Sequence, residues 1–247
     1  MAALLVSPSA DARPVCAGVV EVEHASVARI EYNGALILDD GRAALLEGIR
    51  LPRGTADRAP VSFANAALAE LEKLTLGRAL SLMAVPPKED RYDRIRAQAF
   101  DGDDWLQLEL LRRGLARVSI SPDRTECAAE LFSAETNARE AHAGIWSSPA
   151  YAVRSGGDLA ADTGTFQLLQ GKVLSANVRD GRAWLQFNWG AGTAALIDSD
   201  DLKTYHAMGV DPRGYEGKTI LIRGIVQNQR GPLIEIANPM QVEVIAP

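Results

Sequence analysis

The stretch from Gly34 to Arg53, GALILDDGRAALLEGIRLPR, constrains this chain more than any other. Two short apolar runs flank Asp39-Asp40-Gly41, and Asp and Gly tolerate the left-handed backbone that a tight hairpin turn needs. The second run leads into Gly48-Ile49-Arg50-Leu51-Pro52-Arg53. There Pro52, with no N–H to give a ladder, takes the chain out of the sheet. The ribbon reads as two short strands around a hairpin.

Strand signals continue on either side. Residues 16–33 are rich in Val and Ile with period-two stretches, and 79–85 and 95–100 read as further strands, the last closed by an Asp101-Gly102 turn. Three helices are expected. The first spans Ser62 to Leu76 with Ala67, Leu68, Leu71 and Leu74 on one face, and the second spans Trp105 to Leu115. The third is capped by Asp123 or Thr125 and carries Cys127, Leu131, Ala134, Ala138, Ala141 and Ile145 on an inward stripe. His142 lies beside that stripe and reads as structural.

Residues 148–164, rich in Ser, Gly and Ala, have no sustained apolar period and read as a linker. The first domain then covers 13–147 and a second covers 165–247. In the second, strands at Phe166–Val178, Ala183–Trp189 and Thr193–Ile197 precede a short helix at Ser199–Met208. Strands at Thr219–Gln227 and Leu233–Ile245 follow. Three strands, a helix and two strands is the order of a five-stranded OB-fold barrel. The fold class expected for the whole chain is therefore mainly β with helices, α+β.

Composition narrows function only by exclusion. The 247 residues suffice for two modest cores, and 47% apolar with 23% charged is ordinary for a globular protein. A net charge of −6 argues against a dedicated polyanion binder, though not against a local basic groove. No apolar run reaches the roughly 20 residues that span a bilayer. At the N-terminus, an apolar Ala2–Val6 and an Ala10-Asp11-Ala12 cleavage pattern suggest that residues 1–12 are a signal-peptide remnant. A periplasmic or secreted location is expected on that signature, and a cytoplasmic one otherwise. Cys16 and Cys127 either form a disulfide, worth roughly 4–5 kcal/mol for a loop that long, or are two separate buried thiols.

Four fragments carry a resemblance: GIRLP after the ribbon, DRYDRIRA at 90–97, LLRRGLARV at 110–118 and AETNAREAHAGIW at 134–146. In this order they resemble the staphylococcal nuclease (thermonuclease) family, over roughly residues 17–147. The resemblance implies an OB barrel with added helices. For members that cleave DNA and RNA it also implies calcium held by three carboxylates, one of them the general base, with two arginines on the phosphate.

Position by position, the sequence departs from that pattern. Gly34 stands at the first carboxylate position and Leu45 at that of the strand arginine. Arg50 and Arg53 stand at the two carboxylates around the proline. Only Arg94 is retained, with Tyr92 two residues before it, and Ser119, Ile120 and Ser121 replace the nucleotide-facing tyrosines. A register slip would offer Asp39, Asp40 or Glu47, but the turn accounts for the first two and Glu47 lacks partners.

Calcium wants several oxygens and two cations would repel it, so no calcium is expected here and catalysis by this route is expected to be lost. Arg94 reads either as a retained phosphate ligand or as the partner of Asp90 or Asp93. Arg50 and Arg53 read either as solvated charges or as an anion site made from a cation site. In the second barrel Leu185, Phe187 and Trp189 face one side, and Trp184 on the other is a candidate stacking platform. Yet residues 165–247 hold eight Lys+Arg and eight Asp+Glu, a poor electrostatic funnel for nucleic acid. A binding or scaffold role for nucleic acid or another protein is expected, the alternative being an active calcium-dependent phosphodiesterase with a rearranged site.

Overall fold

A computed structural model describes residues 13–155, 159–187, 194–229 and 231–246. The signal-remnant reading of residues 1–12, and the assignments of Trp189 and Thr193, lie outside the described residues.

The first half contains strands β1 (Val19–Ile30), β2 (Leu36–Leu38), β3 (Ala43–Leu46) and β4 (Ile49–Arg50), then helix α1 (Val61–Thr75). It continues with β5 (Ala79–Ala84), β6 (Ile95–Asp101), β7 (Asp104–Trp105), α2 (Leu106–Arg112), β8 (Arg117–Val118) and α3 (Ala128–Glu140). The hydrogen-bonded order β3-β2-β1-β5-β6, with β6 returning parallel to β3, closes a five-stranded barrel. Closure needs one strand that bends, and β1 is it. The register of β1 against β5 shifts twice, near Val20–Val22 and Val22–Ala25, and His24 adopts a positive φ of 55°.

The hairpin turn falls where Asp39-Asp40-Gly41 predicts it. Gly41 has φ 87° and its N–H donates to the Leu38 carbonyl at 2.9 Å. Inside the barrel lie Leu36, Leu80, Leu82, Ile95 and Phe100, all 0–1% exposed, with Leu106, Leu110 and Leu131 of α2 and α3 closing one end.

Two of the resemblance fragments meet in space. Gly114, after α2, and Gly144, after α3, have φ 63° and 52°, and the Ile145 N–H donates to the Gly114 carbonyl at 2.9 Å. A Cβ on Gly114 would sit 2.1 Å from the Ala143 carbonyl oxygen, so only glycine permits this approach.

The second half contains β9 (Phe166–Arg179), β10 (Arg182–Phe187), β11 (Ala194–Ile197), α4 (Ser199–Ala207), β12 (Thr219–Asn228), β13 (Pro232–Glu235) and β14 (Val242–Ala246). The order β13-β11-β10-β9-β12, with β13 also pairing β12, closes a second five-stranded ring with the same connectivity as the first. Its β9–β10 hairpin turns on Asp180 and Gly181, both at positive φ as a type I′ turn requires.

Two expectations need correction. The third helix is capped by neither Asp123 nor Thr125. It starts at Ala128, with Cys127 at the N-cap in a left-handed conformation, because Cys127 is bonded to Cys16 and the Asp123 carboxylate is taken by Arg96. The final strand is not continuous from Leu233 to Ile245. A 3-10 turn at Pro239–Gln241, capped by Asn238, separates β13 from β14.

The connecting stretch is anchored rather than free along its described length. Tyr151 and Leu159 are each 2% exposed, and Arg154 exchanges backbone hydrogen bonds with β9 through Leu168 and Gln170.

A third apolar cluster joins the halves, with Ala138, Ile145, Trp146 and Tyr151 meeting Phe166, Leu168 and Leu221. One buried ion pair crosses the junction and a second lies beside it within the first half. Arg223 of β12 donates to Glu135 of α3 at 2.6 Å and also to Glu243, while Arg117 of β8 donates to Asp57 at 2.8 Å. Glu135 takes a second role, its other oxygen accepting the Val118 N–H at 2.7 Å.

Candidate functional site

The short ladder of β4 and β8 sets Arg50 directly opposite Arg117. Like charges side by side repel, so this arrangement has to be offset nearby. Asp57, on the turn after Pro52, supplies the offset. Its Oδ2 accepts from the Arg117 guanidinium and the Arg53 backbone N–H, each at 2.8 Å, and from the Tyr151 hydroxyl at 3.2 Å.

Arg117 also donates to the Phe166 carbonyl at 2.5 Å, and both guanidiniums lie against the Phe166 ring, Arg50 at 5.5 Å and Arg117 at 5.1 Å. Burial pushes the pKa of each arginine below its ordinary value, against the pull of Asp57. Burial and then Asp57 push the Tyr151 hydroxyl upward.

Arg50 and Arg53 open into a cleft of about 350 Å³ whose wall includes Gly34, Leu45, Glu47, Ser119 and Ser121. The structure thus gathers four of the sequence-derived positions, Gly34, Leu45, Arg50 and Arg53, around one space. Arg50 is half-buried and Arg53 exposed. Among the described residues no carboxylate lies within the 4.0 Å ion-pair distance of either, and the Arg50 Nε is buried without an acceptor. Ile120 turns into the core while Ser119 and Ser121, on either side, face the cleft, the alternation expected of extended chain.

Glu47 is the one carboxylate among the described lining residues, and it is engaged by Arg96 at 2.8 Å and the Ser121 hydroxyl at 3.2 Å. Arg96 also holds Asp123 at 2.6 Å. Calcium takes six to eight oxygen ligands. One engaged carboxylate beside two unpaired guanidiniums does not fit that ion. No group of three or more His, Cys, Asp or Glu side chains suited to a metal occurs among the described residues.

Tyr92 and Arg94 line an adjoining space of about 610 Å³ that shares Leu45, Glu47 and Ser121 with the first. Arg94 is tied to Asp90 at 2.6 Å and lies over the Tyr92 ring at 5.2 Å, with Arg91 also against that ring at 4.8 Å. Burial opposes ionisation of Asp90, yet the hydrogen bonds from the Arg94 side chain and from the Tyr92 and Arg94 N–H groups together hold its carboxyl below the usual value.

A folded-state pKa lowered in this way adds stability above the unfolded pKa, near 4, which is lost as pH falls through the folded value. In an NMR titration Asp90 is expected to titrate below 3.8, the ordinary value, and to move upward in Arg94→Met. No movement would mean that Arg94 does not set that pKa.

A further cleft, about 620 Å³, lies beside α2, and two of its charge pairs are engaged with each other, Arg78 with Asp101 and Arg113 with Glu109. Trp184 lines neither the Arg50 cleft nor this one. It packs half-buried against Leu196, directly opposite on β11, and Leu233, outside the barrel core. Asp57, Glu135, Arg117, Tyr151 and Arg223 escaped the sequence reading. The available signal was a charge set in an apolar run, Arg223 in TILIRGIV and Arg117 in LARVSI, since arginine is rarely fully buried without a partner.

No curated protein matches the chain. Residues 44–148 match the model of the staphylococcal nuclease homologue family, a span running from β3 through α3 to the Gly144 turn. The chain therefore carries a staphylococcal nuclease homologue domain at residues 44–148.

Proposed function

We propose that this nuclease-family domain is a binding module that no longer hydrolyses phosphodiesters through calcium, joined to a second barrel that serves as scaffold. What carries the reading is the donor set of the Arg50 cleft: guanidiniums at two positions where the family's cleaving members place carboxylates, and a single carboxylate already engaged. A cation there would meet repulsion, and Glu47, the one carboxylate among the described lining residues, is already held by Arg96 and Ser121 rather than free to act as a general base.

The eight-to-eight charge balance of residues 165–247 supports a protein-facing role for the second barrel over a nucleic-acid groove. The Cys16–Cys127 bond supports an oxidising compartment, periplasmic or extracellular. No helix among the described residues is long and apolar enough to cross a membrane.

Incubation with DNA and RNA, in calcium and in chelator, is expected to give no chelator-sensitive cleavage. Calcium is expected to leave the melting temperature unchanged, because only an ion held by the native state raises it. Chelator-sensitive cleavage would establish an active phosphodiesterase with a rearranged site.

A further inference from the structure

The charges around the β4–β8 ladder do not balance locally. Three guanidiniums, those of Arg50, Arg53 and Arg117, lie around one carboxylate, Asp57, which only Arg117 reaches within ion-pair distance. Arg117, the Arg53 backbone and Tyr151 all crowd onto the Asp57 Oδ2, its Oδ1 is buried without a partner, and neither cleft guanidinium comes within ion-pair distance of it. This local excess of positive charge occurs in a chain of net charge −6. Arg50 cannot simply turn away into water, because its guanidinium is held against Phe166. The adjoining space has its positive charge largely engaged: Arg96 alone carries both Glu47 and Asp123, and Arg94 is held by Asp90, leaving Arg91 against the Tyr92 ring.

We propose that the cleft between Arg50 and Arg53 binds one compact oxyanion, a phosphate group carried as a free ion or as a terminal phosphomonoester. Arg50 is oriented for this by Phe166 of the second barrel, so the site is built from both halves of the chain. Two guanidinium forks can share the oxygens of a single phosphate through charge-assisted hydrogen bonds. The Ser119 hydroxyl stands on the same wall to donate another. An extended nucleic-acid strand is a poor occupant, because phosphates beyond the first would meet a neighbouring space where four carboxylates (Glu47, Glu89, Asp90 and Asp123) outnumber three guanidiniums (Arg91, Arg94 and Arg96), whereas strand binding needs a run of cations. This inference rests on the cleft being free of calcium.

Titration calorimetry in chelator tests it, using inorganic phosphate, a nucleoside 5′-monophosphate, and an oligonucleotide with hydroxyls at both ends. Phosphate and the monophosphate are expected to bind and the oligonucleotide is not. Affinity for phosphate is expected to fall about tenfold or more in Arg53→Gln and in Arg50→Met. The Arg53 side chain is exposed, so its variant reads binding without disturbing the fold, whereas Arg50→Met also removes the contact with Phe166. A Phe166→Leu variant is expected to weaken phosphate binding although it touches no ligand, with Arg53→Gln adding to that loss.

No phosphate binding by the unaltered protein, undiminished affinity in both arginine variants, or equal binding of the hydroxyl-ended oligonucleotide would each overturn the proposal. Chelator-sensitive cleavage would instead overturn the non-hydrolytic reading. Absent phosphate binding in a protein that also fails to cleave overturns this inference alone.

Discussion

Replacing Glu135 by alanine is expected to lower the free energy of unfolding by about 3–5 kcal/mol, the usual penalty for stripping a buried charge of its partner. Glu135 is fully buried and serves two groups at once. One oxygen holds the Arg223 guanidinium at 2.6 Å across the barrel boundary, and the other caps the Val118 N–H at 2.7 Å. Alanine leaves Arg223 with Glu243 as its only carboxylate and leaves the Val118 N–H without its acceptor. Equilibrium denaturation followed by circular dichroism gives the number, and a loss below about 1 kcal/mol would show that the network contributes little. The double variant Glu135→Leu/Arg223→Met is expected to recover part of the loss, because no buried guanidinium is left without its partner, although the Val118 N–H stays without its acceptor.

Removing the disulfide should rival that effect by a different route. The bond between Cys16 and Cys127 spans 111 residues of sequence. In the chain-entropy account a loop of that length restricts the unfolded state enough to contribute about 4–5 kcal/mol. Cys16→Ala/Cys127→Ala, compared with the oxidised protein by differential scanning calorimetry, is expected to melt roughly 8–20 °C lower. An unchanged melting temperature would mean that the N-terminal segment is held equally well without the bond.

Both predictions act on groups that the sequence announced unequally. The hairpin at Asp39-Asp40-Gly41, the apolar face of α1 and the five-strand order of the second barrel were all legible, because turn chemistry and periodicity are local signals. The positions around the cleft were legible too, since Gly34, Leu45, Arg50 and Arg53 could be set against a family pattern and lie around one space.

The partners were not. Asp57 meets Arg117 from 60 residues away and Glu135 meets Arg223 from 88, and no period links such residues. Nor did the sequence reveal what Arg50 does. Its stacking on Phe166 depends on the docking of the second barrel, a relation that neither half encodes alone. The start of α3 differs from the expectation for a related reason: the Asp123 carboxylate is diverted to Arg96, and Cys127, bonded to a distant cysteine, takes the N-cap position.

The closed ring of the first barrel has a practical corollary. The family match begins at Ala44, yet two of the five staves, β1 and β2, precede it, and β1 is the one that bends to let the ring shut. A fragment trimmed to the matched span would be an open sheet with unsatisfied edges, an unbridged Cys127, and a bared face where Phe166, Leu168 and Leu221 had covered it. The length of this chain that keeps the ring, the disulfide and the Arg223–Glu243 pair runs from Cys16 to Glu243, well past both limits of the matched span.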